Sequence, residues 1–204
     1  RFNLMAGAFP TTKKPRVFNF TSNRPNNTAY TLSGKRSVKQ FAAQYFSFSV
    51  QMPPMKQADF QQYYAFLVKQ KGSFEDFTFE YPLDNLGADK GETDILANGV
   101  QAIGDSTIAM DGFSVSTDDV LKGGDLIKFS GHNKVYMVTG DANSNASGQA
   151  TVSIEPPLQA ALADNEAVTV NKPSLTVALV QDDVLYSTDA AGFFTLSFDV
   201  REVL

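Results

Sequence analysis

The 204-residue sequence lacks several residue types on which catalytic and metal-binding sites depend. It has no cysteine and no tryptophan, and His132 is its single histidine. Without cysteine a chain cannot form disulfides, thiolate metal sites, iron–sulfur clusters or cysteine nucleophiles. One imidazole cannot build a multi-histidine metal site, and a histidine-based triad is possible only if His132 itself serves. The composition therefore argues against most enzymes, and we expect no catalytic residue, no metal and no cofactor.

Long apolar runs are missing as well. No stretch approaches the ~18 apolar residues of a membrane span, and the N-terminus lacks the apolar region of a signal peptide. With 43% hydrophobic residues the chain is nevertheless too apolar to be disordered. Its length allows one or two domains with buried cores. We therefore expect a folded protein with no membrane partner.

Charge is distributed unevenly along the chain. Residues 1–91 contain 12 Lys and Arg and 6 Asp and Glu, whereas residues 92–204 contain 5 and 16. The two parts carry net charges of +6 and −11, which give the −5 of the whole chain. Segments of opposite sign are typical of surfaces that face different neighbours, but two separately solvated surfaces would give the same pattern.

Hydrophobic periodicity predicts a strand, a helix and a strand between residues 46 and 81. Apolar residues first alternate with Ser and Gln over 46–51, which indicates a half-buried strand. After Pro53-Pro54 their spacing becomes i, i+3, i+4, i+7, i+8 from Phe60 to Val68, which predicts an amphipathic helix of about 14 residues ending at Gly72. Alternation returns from Phe77 to Tyr81. The predicted core that packs this helix on a sheet consists of Phe46, Phe48, Phe60, Tyr64, Leu67, Phe77, Phe79 and Phe198.

The composition changes over residues 83–92, which predicts a linker. Short strand-like segments with Gly, Asn and Asp turns follow at about ten-residue spacing, and they predict a small β-barrel or sandwich. Residues 158–163 could add a helical turn or two. Aromatic and aliphatic alternation returns over 175–179 and 194–200. We predict a mainly β fold in which a β-sandwich with one packed α-helix, built from 1–91 and 173–204, is interrupted at 92–172 by a small β-barrel that resembles an oligonucleotide/oligosaccharide-binding (OB) fold.

Charged side chains suggest few binding sites. His132 lies in a Gly-His-Asn turn, and we expect a hairpin-tip residue rather than a general base. Lys35, Arg36 and Lys39 form the best candidate for a patch that binds polyanions. Residues 1–14 have no hydrophobic period and are expected to be ordered only if something holds them. Neighbours on a strand point to opposite faces, so adjacent carboxylates are expected in solvated turns, namely Glu75-Asp76, Asp118-Asp119 and Asp182-Asp183.

A series of motifs, taken in order, resembles one protein family. In the first part they are FPTT (9–12), GKR (34–36), MPPM (52–55) and DFQQYYAFLVKQKGSFEDFT (59–78). In the remainder they are LKGGD (121–125), GHNKVY (131–136), IEPPL (154–158), YST (186–188) and FDVREV (198–203). Over nearly the full chain this order resembles the distal tail proteins of long-tailed bacteriophages.

The resemblance implies a non-enzymatic structural protein of the virion. It implies a homo-hexameric ring at the tail tip that connects the tail tube protein to the hub or baseplate and to fibre proteins, and that folds and assembles in the host cytoplasm. A ring needs heterologous self-contacts and two dissimilar faces, with which the charge distribution is compatible. The alternative is a module that binds carbohydrate or nucleic acid through the inserted barrel. Residues 92–172 hold 11 Asp and Glu against 4 Lys and Arg, so we expect no nucleic-acid partner.

Overall fold

The computed structural model describes residues 7–41 and 44–204, and the chain divides into two units, Arg1–Phe77 with Val177–Leu204 and Thr78–Thr176. The fold is mainly β, with one α-helix among the described residues, and the predicted fold class is confirmed. The elements are β1 (Val17–Asn23), β2 (Asn26–Tyr30), β3 (Arg36–Gln40), β4 (Tyr45–Gln51), α1 (Gln57–Lys69), β5 (Phe77–Glu80), β6 (Leu96–Ala97), β7 (Thr107–Asp111), β8 (Leu126–Phe129), β9 (Val135–Val138), β10 (Ala150–Glu155), β11 (Val168–Thr169), β12 (Ser174–Leu179), β13 (Tyr186–Thr188) and β14 (Phe194–Glu202).

A sheet in the order β1-β4-β14-β12-β5 carries the helix, and β13 also pairs with β14. The β1–β4, β4–β14 and β12–β14 pairings are antiparallel, and Phe48 lies opposite both Phe20 of β1 and Val200 of β14. Because side chains alternate between the two faces of a strand, one face collects the aromatic rings. The ring centroids of Phe20 and Phe46 are 4.7 Å apart, and those of Phe18 and Phe48 are 5.0 Å apart.

Most of the residues expected in the core are buried. Those with exposed fractions of 8% or less are Phe46, Phe48, Phe60, Leu67, Phe77, Phe79 and Phe198. Tyr64 differs, because its side chain is only half-buried. It lies at the flank of the helix, where its ring stacks with Phe60 and meets Tyr186 edge-on.

The buried stripe of α1 is rotated relative to the predicted one. Phe60, Tyr63 and Leu67 are buried, but Val68, which the spacing placed on the apolar face, is 52% exposed. The reason is a side chain from far away in sequence. Phe9 is buried, with ring centroids 5.5 Å from Tyr63 and 5.8 Å from Phe66, so the apolar surface of the helix extends toward Phe66 instead of Val68.

The N-terminal segment is held by this contact. The Phe9 ring also lies 5.2 Å from the Phe198 ring of β14. Beyond it, the backbone N–H of Lys13 donates to the Tyr63 hydroxyl at 2.8 Å, and the Lys13 ammonium lies 3.0 Å from the Asp59 carboxylate. Residues 9–13 are therefore held by the helix. The sequence predicted order in residues 1–14 only if another part of the protein held them, and for 9–13 that part is the helix; residues 1–6 lie outside the described part.

The second unit contains a nearly closed sheet in the order β11-β8-β9-β10-β7-β6. Its ends meet at a bridge between Leu96 and Ala167, where Ala97 N donates to Glu166 O at 2.9 Å. The barrel-like sheet encloses one cluster of buried apolar side chains, including Ile108, Phe129 and others of β7 to β10. Residues 158–163 form no helix; Leu162 instead exchanges backbone hydrogen bonds with Gln101.

Residues 83–92 differ from the solvated linker that their composition suggested. The Asn85 side chain is buried, and its amide donates to Leu126 O at 2.7 Å and to Val170 O at 2.6 Å. The buried Asp125 carboxylate accepts the backbone N–H groups of Leu86 and Gly87 at 2.7 and 3.0 Å. Polar residues typical of loops thus fasten this segment to the second unit.

Candidate functional site

The hairpin of β2 and β3, which we call the hairpin arm, is the longest stretch of fully exposed strand in the described chain. Every residue of both strands is exposed, and the two strands pair only with each other. A two-stranded hairpin without a packed face is marginally stable in water. The hairpin arm is therefore the element of the first unit that gains most from a surface to lie on.

The register of the hairpin arm separates its side chains into two faces. Tyr30 lies opposite Arg36, and Thr28 lies opposite Val38, so these four side chains share one face. Ala29, Ser37, Asn27 and Lys39 occupy the other face. The first face is apolar and basic: Tyr30 is 69% and Val38 45% exposed.

Apolar side chains also flank the strands of the hairpin arm. Leu32 at its tip is fully exposed, and Phe41 at its base is 45% exposed. The hairpin arm and its flanks thus expose four large apolar side chains, and concentrations of exposed apolar side chains mark interaction surfaces. The basic cluster of the sequence, Lys35, Arg36 and Lys39, lies on the same element, and the segment 24–41 contains no acidic residue.

His132 lies in the turn between β8 and β9, as expected, but its ring is buried with an exposed fraction of 6%. Its Nδ1 lies 2.8 Å from the Tyr136 hydroxyl, which also accepts the backbone N–H of Gln159 at 3.2 Å. The Phe129 ring packs edge-on against it. His132 therefore belongs to the packed interior of the insert. The local sequence does not predict this burial, because it depends on Tyr136 and on the loop at Gln159, which lies 23 residues beyond Tyr136.

The adjacent carboxylates do not converge on a site. Glu75 and Asp76, expected in a solvated turn, are both buried, and the Lys71 ammonium donates to Glu75 at 2.9 Å. Asp118 and Asp183 are exposed, as expected. The arrangement offers no pair of carboxylates facing one another for acid–base chemistry.

Asp182 stabilises a loop through hydrogen bonds from Ser73. Its carboxylate accepts the hydroxyl and the backbone N–H of Ser73 at 2.7 and 3.0 Å, and these bonds lower the pKa of Asp182 below its ordinary value. Gly72, at φ +69°, lies against it so closely that a Cβ would come within 2.7 Å of the Asp182 Oδ1. The contact fastens loop 180–185 to the end of the helix.

The insert bears an open cleft of about 400 Å³. Its lining is rich in side-chain amides, from Asn98, Asn143, Asn145 and Gln149. Asn145 uses its carbonyl oxygen to accept the backbone N–H groups of Ser147 and Gln149 at 2.8 and 3.0 Å. No aromatic ring lines the cleft, so the stacking platform common in sugar and single-strand sites is missing there.

Comparison with known families gives a match, which lies in the second part of the chain. Residues 89–172 match the family model described as "Distal tail protein pb9, B domain". The resemblance to phage distal tail proteins is confirmed. A search of curated proteins finds no match to the chain. The distal tail match covers less than half of the chain, and it indicates a structural protein of the phage tail, located in the virion with other tail components.

Within residues 7–41 and 44–204, no helix has the length and apolarity needed to cross a membrane. The same described ranges contain no group of three or more His, Asp or Glu side chains that could hold a metal ion.

Proposed function

We propose that this protein forms a homo-hexameric ring at the distal end of a phage tail. In this role it joins the tail tube protein to the hub or baseplate and to fibre proteins, and it folds and assembles in the host cytoplasm. The match of residues 89–172 to a distal tail protein domain supports the location. The role needs no catalytic residue, metal or cofactor.

The exposed hairpin arm is the observation that supports the proposed ring. It projects apolar and basic side chains that none of the described residues of its own chain covers. An arm on one copy that docks on a different surface of the next copy makes a heterologous contact, and such contacts close into rings when the rotation allows. Each subunit has one hairpin arm and would therefore make one such contact with the next subunit.

We assign the two roles to different parts of the chain. Residues 1–91 and 173–204 would form the ring as a discontinuous β-sandwich domain, because they contain the hairpin arm. Residues 92–172 would form an inserted OB-like barrel that faces other neighbours. Its net charge of −7, opposite in sign to residues 1–91, supports this separation of surfaces.

Changing one face of the hairpin arm tests the proposal. We expect Tyr30→Ser combined with Val38→Ser to leave a folded monomer in light scattering, because the exposed apolar side chains of that face are lost. The control carries Ala29→Ser and Ser37→Ala on the opposite face and should assemble like the unmodified protein. Equal assembly of both variants would show that this face of the hairpin arm is not a joint.

A second candidate function places a carbohydrate ligand in the amide-lined cleft of the insert. Amide groups can bind sugar hydroxyls, and a volume of about 400 Å³ lies in the range of small-molecule sites. The absence of an aromatic platform in its lining makes this candidate weaker than the structural role.

A further inference from the structure

A groove in the first unit lies where β14 changes partner. On one side of β14, β13 pairs with residues 194–196 and β12 pairs with residues 200–202. Between these pairings the loop of residues 180–185 runs beside residues 197–199. The groove at this point has a volume of about 170 Å³.

The groove combines an apolar lining with an acidic rim. Leu179, Leu185 and Phe198 line it, and of these Leu185 is the exposed one; Asp183 and Asp199 also line it and are both exposed. Leu185 is 76% exposed, so its apolar surface is open to a partner, and burying it would be favourable. Within the described part of the chain, neither carboxylate forms a side-chain hydrogen bond or an ion pair.

No cation of the neighbouring sequence balances these two charges. The segment 173–200 contains four aspartates and no lysine or arginine. Arg201, the next basic residue, has its guanidinium carbon 3.7 Å from the centre of the Tyr45 ring. The groove therefore fits a partner that is apolar in part and positively charged in part.

The hairpin arm has this combination on one face. Tyr30, Arg36 and Val38 lie side by side there, and the Arg36 guanidinium has no partner among the described residues. Lys13 is paired with Asp59, but Lys14 and Arg16 also precede β1, the edge strand of the sheet, and their charges disfavour docking of the hairpin arm there. Charge therefore favours the groove, and not the exposed edge of the sheet, as the surface that binds the hairpin arm.

We propose that the groove receives the Tyr30–Arg36–Val38 face of the hairpin arm from a second copy of this chain. This proposal rests on the proposed ring and identifies the surface through which one copy contacts the next. The aliphatic stem of Arg36 packs on Leu185 while its guanidinium reaches Asp183 and Asp199. Because the hairpin arm and the groove are different surfaces, the contact is heterologous and repeats from copy to copy.

Charge reversal with matched controls tests this contact in the full-length protein. We expect Arg36→Glu and Asp199→Lys each to raise the dissociation constant of the assembly at least about tenfold in sedimentation analysis, since like charges would then meet. Lys39→Glu, on the opposite face of the hairpin arm, and Asp118→Lys, in the insert, make the same charge changes away from the contact. These controls should stay within about threefold of the unmodified protein.

The double variant that carries Arg36→Glu and Asp199→Lys is the decisive case. It restores opposite charges across the contact, so its assembly should recover most of the loss. Controls as strongly affected as the test variants, or a double variant weaker than either single one, would overturn the groove while leaving the ring intact. Unmodified protein that stays monomeric would overturn the ring itself.

Photo-cross-linking tests the same contact without a change of charge, so it still applies if a charge variant fails to fold. A photoreactive amino acid placed at Val38 should form intermolecular cross-links to residues 179–185 or 197–199, identified by mixing isotope-labelled and unlabelled copies. Intermolecular cross-links confined to other segments would contradict the proposed groove.

Discussion

Replacement of Phe60 by alanine probes the packing of the helix on the sheet. The Phe60 side chain is 4% exposed, and its ring centroid lies 4.7 Å from Phe194, 5.0 Å from Tyr186 and 5.4 Å from Tyr64. Removing a buried phenylalanine costs about 3–5 kcal/mol through lost transfer energy and the cavity that remains. Three ring partners place the expected loss in the free energy of unfolding at the upper part of this range, about 4–5 kcal/mol.

Urea unfolding followed by circular dichroism measures this loss. The midpoint of the transition of the first unit should fall while the slope stays unchanged, because the variant alters stability and not the surface exposed on unfolding. Val68→Ala on the exposed side of the same helix is the matched control and should change stability by less than about 0.5 kcal/mol. A loss for Phe60→Ala within that same small range would refute the packing described here.

Three further predictions concern the insert and one exposed carboxylate. Asp125→Ala leaves the backbone N–H groups of Leu86, Gly87 and Lys122 without their acceptor and should destabilise the insert by about 3 kcal/mol in urea unfolding, whereas Asp118→Ala should change it by less than about 0.5 kcal/mol; equal effects would contradict the role of Asp125. Hydrogen bonds from Ser73 lower the pKa of Asp182, so its contribution to stability is complete above the unfolded-state pKa and is lost as the pH falls through the folded-state pKa. Asp182→Asn should therefore flatten the acid side of the stability profile, and an unchanged profile would contradict this. The acidic insert should bind neither single-stranded nucleic acid at low salt nor any sugar on a glycan array; saturable binding of either would favour the alternative function.

Local patterns predicted most of the strands because they depend on residues close in sequence. Alternation over 46–50 and 194–200 corresponds to β4 and β14, and the short segments after residue 106 correspond to β7 to β11. The helix was predicted from a change of period. These elements follow from side chains that alternate or repeat on one face, which a linear sequence records directly.

Contacts between distant residues explain what the sequence did not predict. The exposure of Val68 follows from Phe9, which lies more than fifty residues earlier and shifts the apolar side of the helix. The burial of Asn85 follows from carbonyl groups of Leu126 and Val170, which accept its amide hydrogens. Polar residues satisfied in this way look like loop residues in a sequence, because composition does not show where hydrogen-bond partners will come from.

The candidate site was predictable only in part. The basic cluster at residues 35–39 was visible in the sequence, but its place on a hairpin with no buried residue was not. The groove is formed by a loop and a strand whose alignment depends on the register of β12 and β13 against β14. Such a register is set by tertiary packing and leaves no local signal.

Native mass spectrometry of the purified protein tests the central claim most directly. Six subunits of 22.2 kDa give an assembly of about 133 kDa, and the account predicts this species as the dominant form at high concentration. The predicted ring is closed, so its mass should not grow further as the concentration rises. A single species of 22.2 kDa at every concentration, or an open series of ever larger oligomers, would contradict the hexameric ring.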